Sequence, residues 1–321
     1  MRASTDPVDP ARAAGLGDSP SLVVRVAQTS SAQTWSDPSL LPDNIDKVAT
    51  WYADAADNFD LVVFPELNLT GYIPLKGYDQ SRKRTMWEVA KQVTADEVPR
   101  LAALTQGRRA ALVVGFTEAS SMRHEMHNSL AFLEDGRVLG VYRKVHLPVE
   151  ENHYFLPGHA PVVVDARCGR IALSICYDMV FPEWARLAAL AGAETLLVCS
   201  NWLGIANLRQ LGEVLPVARA LEEQMHVVFV NGVGTLQVRG RTWDLFGASR
   251  IVSATGRTVA LAGAGEQPLD GRLDTVELGE AADVFPLLRD RRPDAYRSLT
   301  EPLTPLSGLR PIPGGAAPSR P

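Results

Sequence analysis

The sequence predicts an α/β protein with mixed sheets, on three observations. Short apolar runs alternate with longer amphipathic stretches, two segments carry hairpin turn signals, and 321 residues at 46% hydrophobic content suffice for a large buried core. Length alone allows one or two domains.

The apolar runs, in chain order, are residues 22–27, 61–64, 111–116, 171–175, 195–198 and 227–230. Runs of this length, rich in Val and Ile, are the pattern of strands buried on both faces. Between them, residues 44–56, 94–106, 182–191 and 213–224 carry apolar side chains at helical spacing. Residues 129–142 turn at Asp135-Gly136, and residues 250–261 turn near Thr255-Gly256. Both read as hairpins, so antiparallel pairs must join the parallel ones. The tetrapeptide Val-Phe-Pro-Glu occurs at 63–66 and again at 180–183. It is not a duplication signal: the first copy ends a strand, and the second opens a helix with Pro182 in its first turn. Residues 1–20 and 300–321 mix Pro, Gly, Ala and charged residues without periodicity and read as tails around one domain at 21–299.

Charge excludes some partners. With 32 basic and 37 acidic side chains and no sustained basic run, the chain lacks the footprint of a nucleic-acid binder. No apolar segment has the roughly 18–20 residues of a membrane span, and the first residues contain no signal-like apolar stretch. The three cysteines, Cys168, Cys176 and Cys199, make no disulfide framework, which points to a reducing, cytoplasmic setting. His124 and His127 flank Glu125, but not at the spacing of a helical zinc motif, so no metal is expected.

In buried α/β sheets, reactive side chains sit just past the carboxyl ends of strands. Glu66, Lys144, Cys176, Asn201 and Asn231 all fall at such ends. Cys176 also opens a turn into a helix, where the helix N-terminus or a nearby cation can lower a thiol pKa. Taken singly, Glu66 reads equally as a solvated acid, Lys144 as a surface lysine and Cys176 as a small buried apolar residue. Cys168, in a turn, and Cys199, inside a strand, read as structural.

Several segments together resemble the nitrilase superfamily of carbon-nitrogen hydrolases. LVVFPELNLTGY (61–72) is similar to its glutamate segment, YRKVHLP (142–148) to its lysine segment, and SICYDMVFPE (174–183) to its nucleophile segment. GAETLLVCSNW, ARALEEQ, VFVNGVG, FGASRIVSATGR and DRRPDAY also fit, so the resemblance spans about 22–299. It implies a four-layer α-β-β-α sandwich, a homodimer or larger assembly, and a cofactor-free enzyme. It also implies that Cys176 is a nucleophile forming a thioester, that Glu66 carries protons, and that Lys144 and the Tyr177 backbone N–H hold the oxyanion. Counting back from Pro157-Gly158 selects Glu151 as an auxiliary glutamate, with Glu150 the runner-up.

The loop between Lys144 and that glutamate is short for the family, which alters the pocket. Cys176-Tyr177-Asp178 looks more like the amidase branches than the nitrile-hydrolysing ones. The reading is therefore hydrolysis of a primary carboxamide to acid and ammonia, with N-carbamoyl amine or amino acid hydrolysis second. Nitrile hydrolysis, acyl transfer to an amine and a non-catalytic binding role follow. Tyr72, Asn201 and Trp202 are candidate pocket walls, and Arg143, Arg209 and Arg219 are candidate partners for a charged substrate group.

Overall fold

A computed structural model describes residues 21–73, 79–148, 150–238 and 241–300. The expected tails, 1–20 and 300–321, lie outside these residues except for Thr300.

Two six-stranded sheets carry the fold. The first has the order β14-β1-β2-β3-β4-β5, built from β1 (Ser21–Gln28), β2 (Leu61–Val63), β3 (Ala111–Ala119), β4 (Met126–Glu134), β5 (Arg137–Arg143) and β14 (Gln267–Asp274). Strands β1, β2 and β3 are parallel, whereas β14, β4 and β5 join antiparallel. The second has the order β13-β12-β9-β8-β7-β6, from β6 (Val162–Ala166), β7 (Gly169–Ile175), β8 (Thr195–Ser200), β9 (His226–Asn231), β12 (Arg250–Val252) and β13 (Thr258–Leu261). Here β7, β8 and β9 are parallel and the outer strands antiparallel. A separate hairpin pairs β10 (Val233–Val238) with β11 (Arg241–Phe246).

The period-2 alternation of the strands divides the core. Leu61, Val63 and Val113 join one cluster with Ile171, Leu173 and Ile175, filling the space between the sheets. Val62, Phe64, Leu112 and Val114 point the other way and pack on Ile45, Val48 and Tyr52 of α1 (Leu41–Ala55) and on Val89 and Leu101. On the far face of the second sheet lie α4 (Pro182–Leu190), through Ala185 and Ala188, and α5 (Ala206–Glu223), through Ala220. The result is the four-layer α-β-β-α sandwich of two mixed sheets.

Each expected strand is present, and both expected hairpins form. At the first turn Asp135 and Gly136 both have positive φ, 49° and 73°, the geometry that suits strand twist at a two-residue turn. The helix expected at 94–106 is the end of a longer helical run: α2 (Gln80–Gln92), one wide π turn (Val93–Glu97) and α3 (Val98–Leu104). Asp79 caps α2 by accepting from the Ser81 and Arg82 N–H groups at 2.9 and 3.2 Å. The periodicity did not reveal α2 because only Met86, Val89 and Ala90 of its thirteen residues are buried. No helix of the described residues is long and apolar enough to cross a membrane.

Candidate active site

The carboxyl ends of the central strands of both sheets converge. After β2 the chain makes a tight turn through Pro65 and Glu66, with Leu67 at φ 50° and its carbonyl accepting from the Gly71 N–H at 2.8 Å. Strand β3 passes so close that a Cβ on Gly115 would lie 2.5 Å from Leu67 N and 2.6 Å from Pro65 O. Glycine is required there, and Asn68 Oδ1 closes the contact by accepting from the Gly115 N–H at 2.9 Å.

Lys144 directly follows β5, its N–H donating to Asn128 O at 2.8 Å. Glu151 opens a single 3₁₀ turn (Glu151–His153), in which its carbonyl accepts from the Tyr154 and Phe155 N–H groups at 2.9 Å each. Cys176 follows β7 directly and opens another 3₁₀ turn (Cys176–Val180) at φ 50°. A non-glycine residue in that region stores about 1–3 kcal/mol of strain, which clusters at functional sites. The buried Asp178 carboxylate holds the turn, accepting from Ile175 N at 3.1 Å, Tyr142 OH at 2.7 Å and His146 N at 2.9 Å.

These elements bring Glu66, Lys144, Glu151 and Cys176 together in the interior. Glu66, Lys144 and Glu151 are 0% exposed and Cys176 is 6%. Lys144 Nζ lies 2.8 Å from Oε1 of Glu66 and 2.8 Å from Oε1 of Glu151. Glu151, not Glu150, therefore occupies the lysine. Tyr72 OH donates to the same Glu151 oxygen at 2.5 Å, while Glu151 Oε2 is buried without a hydrogen-bond partner. Asn201 donates its backbone N–H to Glu66 Oε2 at 3.0 Å and its side-chain amide to Glu66 O at 2.5 Å. Trp202 Nε1–H points at Cys176 Sγ from 2.8 Å, and Trp202 N donates to Asn231 Oδ1 at 2.8 Å. Tyr72, Asn201 and Trp202 thus act as hydrogen-bond donors rather than as bare walls.

Tyr177 is different. Its side chain is 38% exposed and packs edge-on against Phe181. Its backbone N–H lies in the first turn of the short helix, where N–H groups have no partner within the turn.

Burial opposes the Lys144 ammonium, but Glu151, Glu66 and the Cys176 sulfur together hold its pKa well above the usual lysine value. The lysine is a fixed positive charge. Burial raises the Glu151 carboxyl; Lys144 offsets this only in part, and Glu66 adds to the rise. The Cys176 thiol departs from the sequence expectation. Burial comes first and Glu66 second in pushing it well above its usual value, against the downward pull of Lys144 and the Asn201 N–H. The cation is present, yet burial together with Glu66 outweighs it, so the thiol is held above its usual value.

Two of the three arginines are paired with carboxylates, and the third lies exposed over an aromatic ring. Arg143 forks onto Glu118 at 2.6 and 2.8 Å, Arg219 donates to Met179 O at 3.1 Å and Glu222 at 2.7 Å, and Arg209 sits 5.2 Å over the Phe246 ring. Cys199 is buried within β8 and Cys168 half-buried at its turn, both as free thiols. His127 Nδ1 is 2.9 Å from Leu156 O, and His124 packs edge-on against Trp87. Among the described residues no group of three or more His, Cys, Asp or Glu is placed to hold a metal ion.

Sequence reasoning missed Asn128, whose Nδ2 donates to Glu66 Oε1 at 2.7 Å, and Asp178. A signal existed for Asn128: His127-Asn128-Ser129 is a polar triplet in a strand buried along its whole length. Buried polar side chains are more informative than exposed apolar ones.

The chain is similar to several known proteins. The carbon-nitrogen hydrolase family model matches residues 24–283. A hydrolase from the pqqF 5' region of Pseudomonas protegens is 32% identical over 306 residues, covering 93% of this chain and 99% of the relative. An (R)-stereoselective amidase from a Pseudomonas species is 32% identical over 253 residues, covering 78% of this chain and 85% of the relative. The crystal structure of a carbon-nitrogen hydrolase from Helicobacter pylori G27 superposes with a TM-score of 0.76 at 26% identity, over 88% of this chain and 99% of that one. The match along most of its length, the two-sheet sandwich and the likeness to amidases establish that this chain belongs to the carbon-nitrogen hydrolases of the nitrilase superfamily.

Proposed function

We propose that this enzyme hydrolyses a primary carboxamide to a carboxylic acid and ammonia through a thioester on Cys176. The observation that carries this reading is the orphan oxygen of Glu151. A fully buried carboxylate oxygen without a donor is costly to leave unmatched, and an amide nitrogen supplies the N–H it lacks. A nitrile supplies none.

In the proposed cycle, substrate lies with its NH2 on Glu151 Oε2 and its carbonyl carbon over Cys176 Sγ. Attack and deprotonation occur together because burial and Glu66 disfavour a free thiolate. The S–H proton passes to Glu66, the S–C bond forms, and the carbonyl π pair moves onto oxygen. Lys144 gives two of its three ammonium hydrogens to Glu66 and Glu151, leaving the third for that oxygen, beside the Tyr177 N–H. Collapse breaks the C–N bond while Glu66 returns the proton to the departing nitrogen, so ammonia leaves. Water then attacks the thioester, gives a proton to Glu66, and sulfur recovers that proton as the acid departs.

Trp202 has a defined part, because a donor to sulfur favours the thiolate as charge develops. Trp202→Phe keeps the ring and deletes the donor. It is expected to slow alkylation of Cys176 by iodoacetamide at neutral pH roughly tenfold, with far-UV circular dichroism unchanged. An unaltered alkylation rate would reduce the indole to packing.

The substrate class is tested by ammonia and carbon dioxide release from a panel of primary amides, N-carbamoyl amino acids, carbamoyl amines and nitriles. Ammonia from amides without carbon dioxide is expected. With Arg143 held by Glu118 and Arg219 by Glu222, N-carbamoyl amino acids meet neither as a free partner for their carboxylate. Carbon dioxide with ammonia from ureido compounds alone would replace the amidase reading with a carbamoylase, and turnover of nitriles alone would contradict both.

A further inference from the structure

The two buried carboxylates are held in the same way. Each presents Oε1 to Lys144 and to a second donor: Asn128 Nδ2 at 2.7 Å for Glu66, and Tyr72 OH at 2.5 Å for Glu151. Each leaves Oε2 clear of the lysine. Oε2 of Glu151 has no partner, and Oε2 of Glu66 accepts only the Asn201 N–H, which also faces the Cys176 sulfur.

We propose that Asn128 is a positioning residue that, with Lys144, occupies Oε1 of Glu66 and so makes Oε2 the atom that carries the proton between Cys176, ammonia and water. This rests on the reading of Glu66 as proton carrier. A carboxylate oxygen that accepts two strong hydrogen bonds, one from a cation, is the poorer base of the pair, because taking a proton would break one of them. The oxygen with a single backbone donor is the better one. The amide also fixes rotation about the last side-chain bond, which is otherwise broad and two-fold, so the two oxygens cannot exchange places. Asn128 is 1% exposed on β4, and its backbone carbonyl accepts the Lys144 N–H at 2.8 Å. One residue therefore sets both the lysine, through its backbone, and the glutamate, through its side chain.

Asn128→Leu has nearly the same shape, keeps the backbone bond and removes the donor. Without it the charged carboxylate that turnover needs loses one stabilising hydrogen bond. The acid limb of kcat/KM should move up by about one pH unit, and kcat at the optimum should fall about tenfold or more as the carboxylate turns out of line. The melting temperature and the circular dichroism spectrum serve as the folding control, and Asn128→Ala is the second variant if leucine prevents folding.

An acid limb and a kcat unchanged in a folded variant would overturn the proposal, and so would a uniform fall in kcat with no change in the pH profile. The outcomes separate from a failure of the amidase reading. If wild-type turnover proves independent of Cys176, that reading falls with the proposal, whereas Cys176-dependent turnover with an unshifted Asn128→Leu profile removes only the role of Asn128.

Discussion

Lys144→Ala is expected to abolish measurable amide hydrolysis and to lower stability by about 3–5 kcal/mol, the usual cost of removing one partner of a buried ion pair. Lys144 is 0% exposed and sits 2.8 Å from each of two carboxylates that are also 0% exposed. Without it, two negative groups face each other in the interior with no cation between them. The fall in activity has two sources. Loss of one donor to a developing oxyanion costs about 10²–10³ in kcat, and Glu66 loses a ligand that holds it in place.

The stability loss depends on pH, with a sign fixed by the carboxylates. Glu151 already has its carboxyl pushed up by burial, and losing the lysine removes the downward pull. A carboxyl whose folded pKa lies above its unfolded value binds its proton more tightly in the native state. The resulting stability is greatest below the unfolded pKa and is lost as pH rises through the folded one. Denaturant unfolding should therefore show Lys144→Ala closest to wild type near pH 5 and furthest below it near pH 8. An equal deficit at both pH values, or a stable variant at pH 8, would contradict the buried three-charge arrangement.

Cys176→Ala is expected to reduce turnover by about 10⁶, to background, since loss of a nucleophile in a concerted set costs about as much as loss of the set. The variant should still fold. Its structural cost is confined to the Trp202 indole N–H, which loses its acceptor in a buried site, about 1–3 kcal/mol. Activity retained in the folded variant would refute the nucleophile assignment.

The strands that build the floor of the site were readable in the sequence because they are apolar along their whole length. β8 and β9 are buried at every residue, and the groups that matter stand just beyond their ends. Edge elements were not readable. β14, QPLDGRLD, buries only two of its eight residues and contains Pro and Gly, as an edge strand can. The β10–β11 hairpin and α6 (Val276–Val284) bury little and carry no strong period.

Within the site, Glu66, Lys144 and Cys176 were legible as polar residues at strand ends and through family resemblance. Counting back from Pro157-Gly158 already selects Glu151 over Glu150, and the 3₁₀ turn that Glu151 opens places its carboxylate on Lys144. Asn128 reaches Glu66 from β4, and the raised thiol pKa follows from burial and then from Glu66, which belongs to the other sheet. The polar triplet 127–129 marks Asn128 as unusual without saying what it holds, and no local pattern encodes the state of the thiol.

The most direct test is the mass of the enzyme quenched with acid during turnover of a primary carboxamide. The account predicts a gain equal to the acyl group, mapped to the peptide bearing Cys176, discharged by hydroxylamine, and absent from Cys176→Ala. Ammonia release continuing in Cys176→Ala, or an acyl group mapped to any other residue, would contradict it.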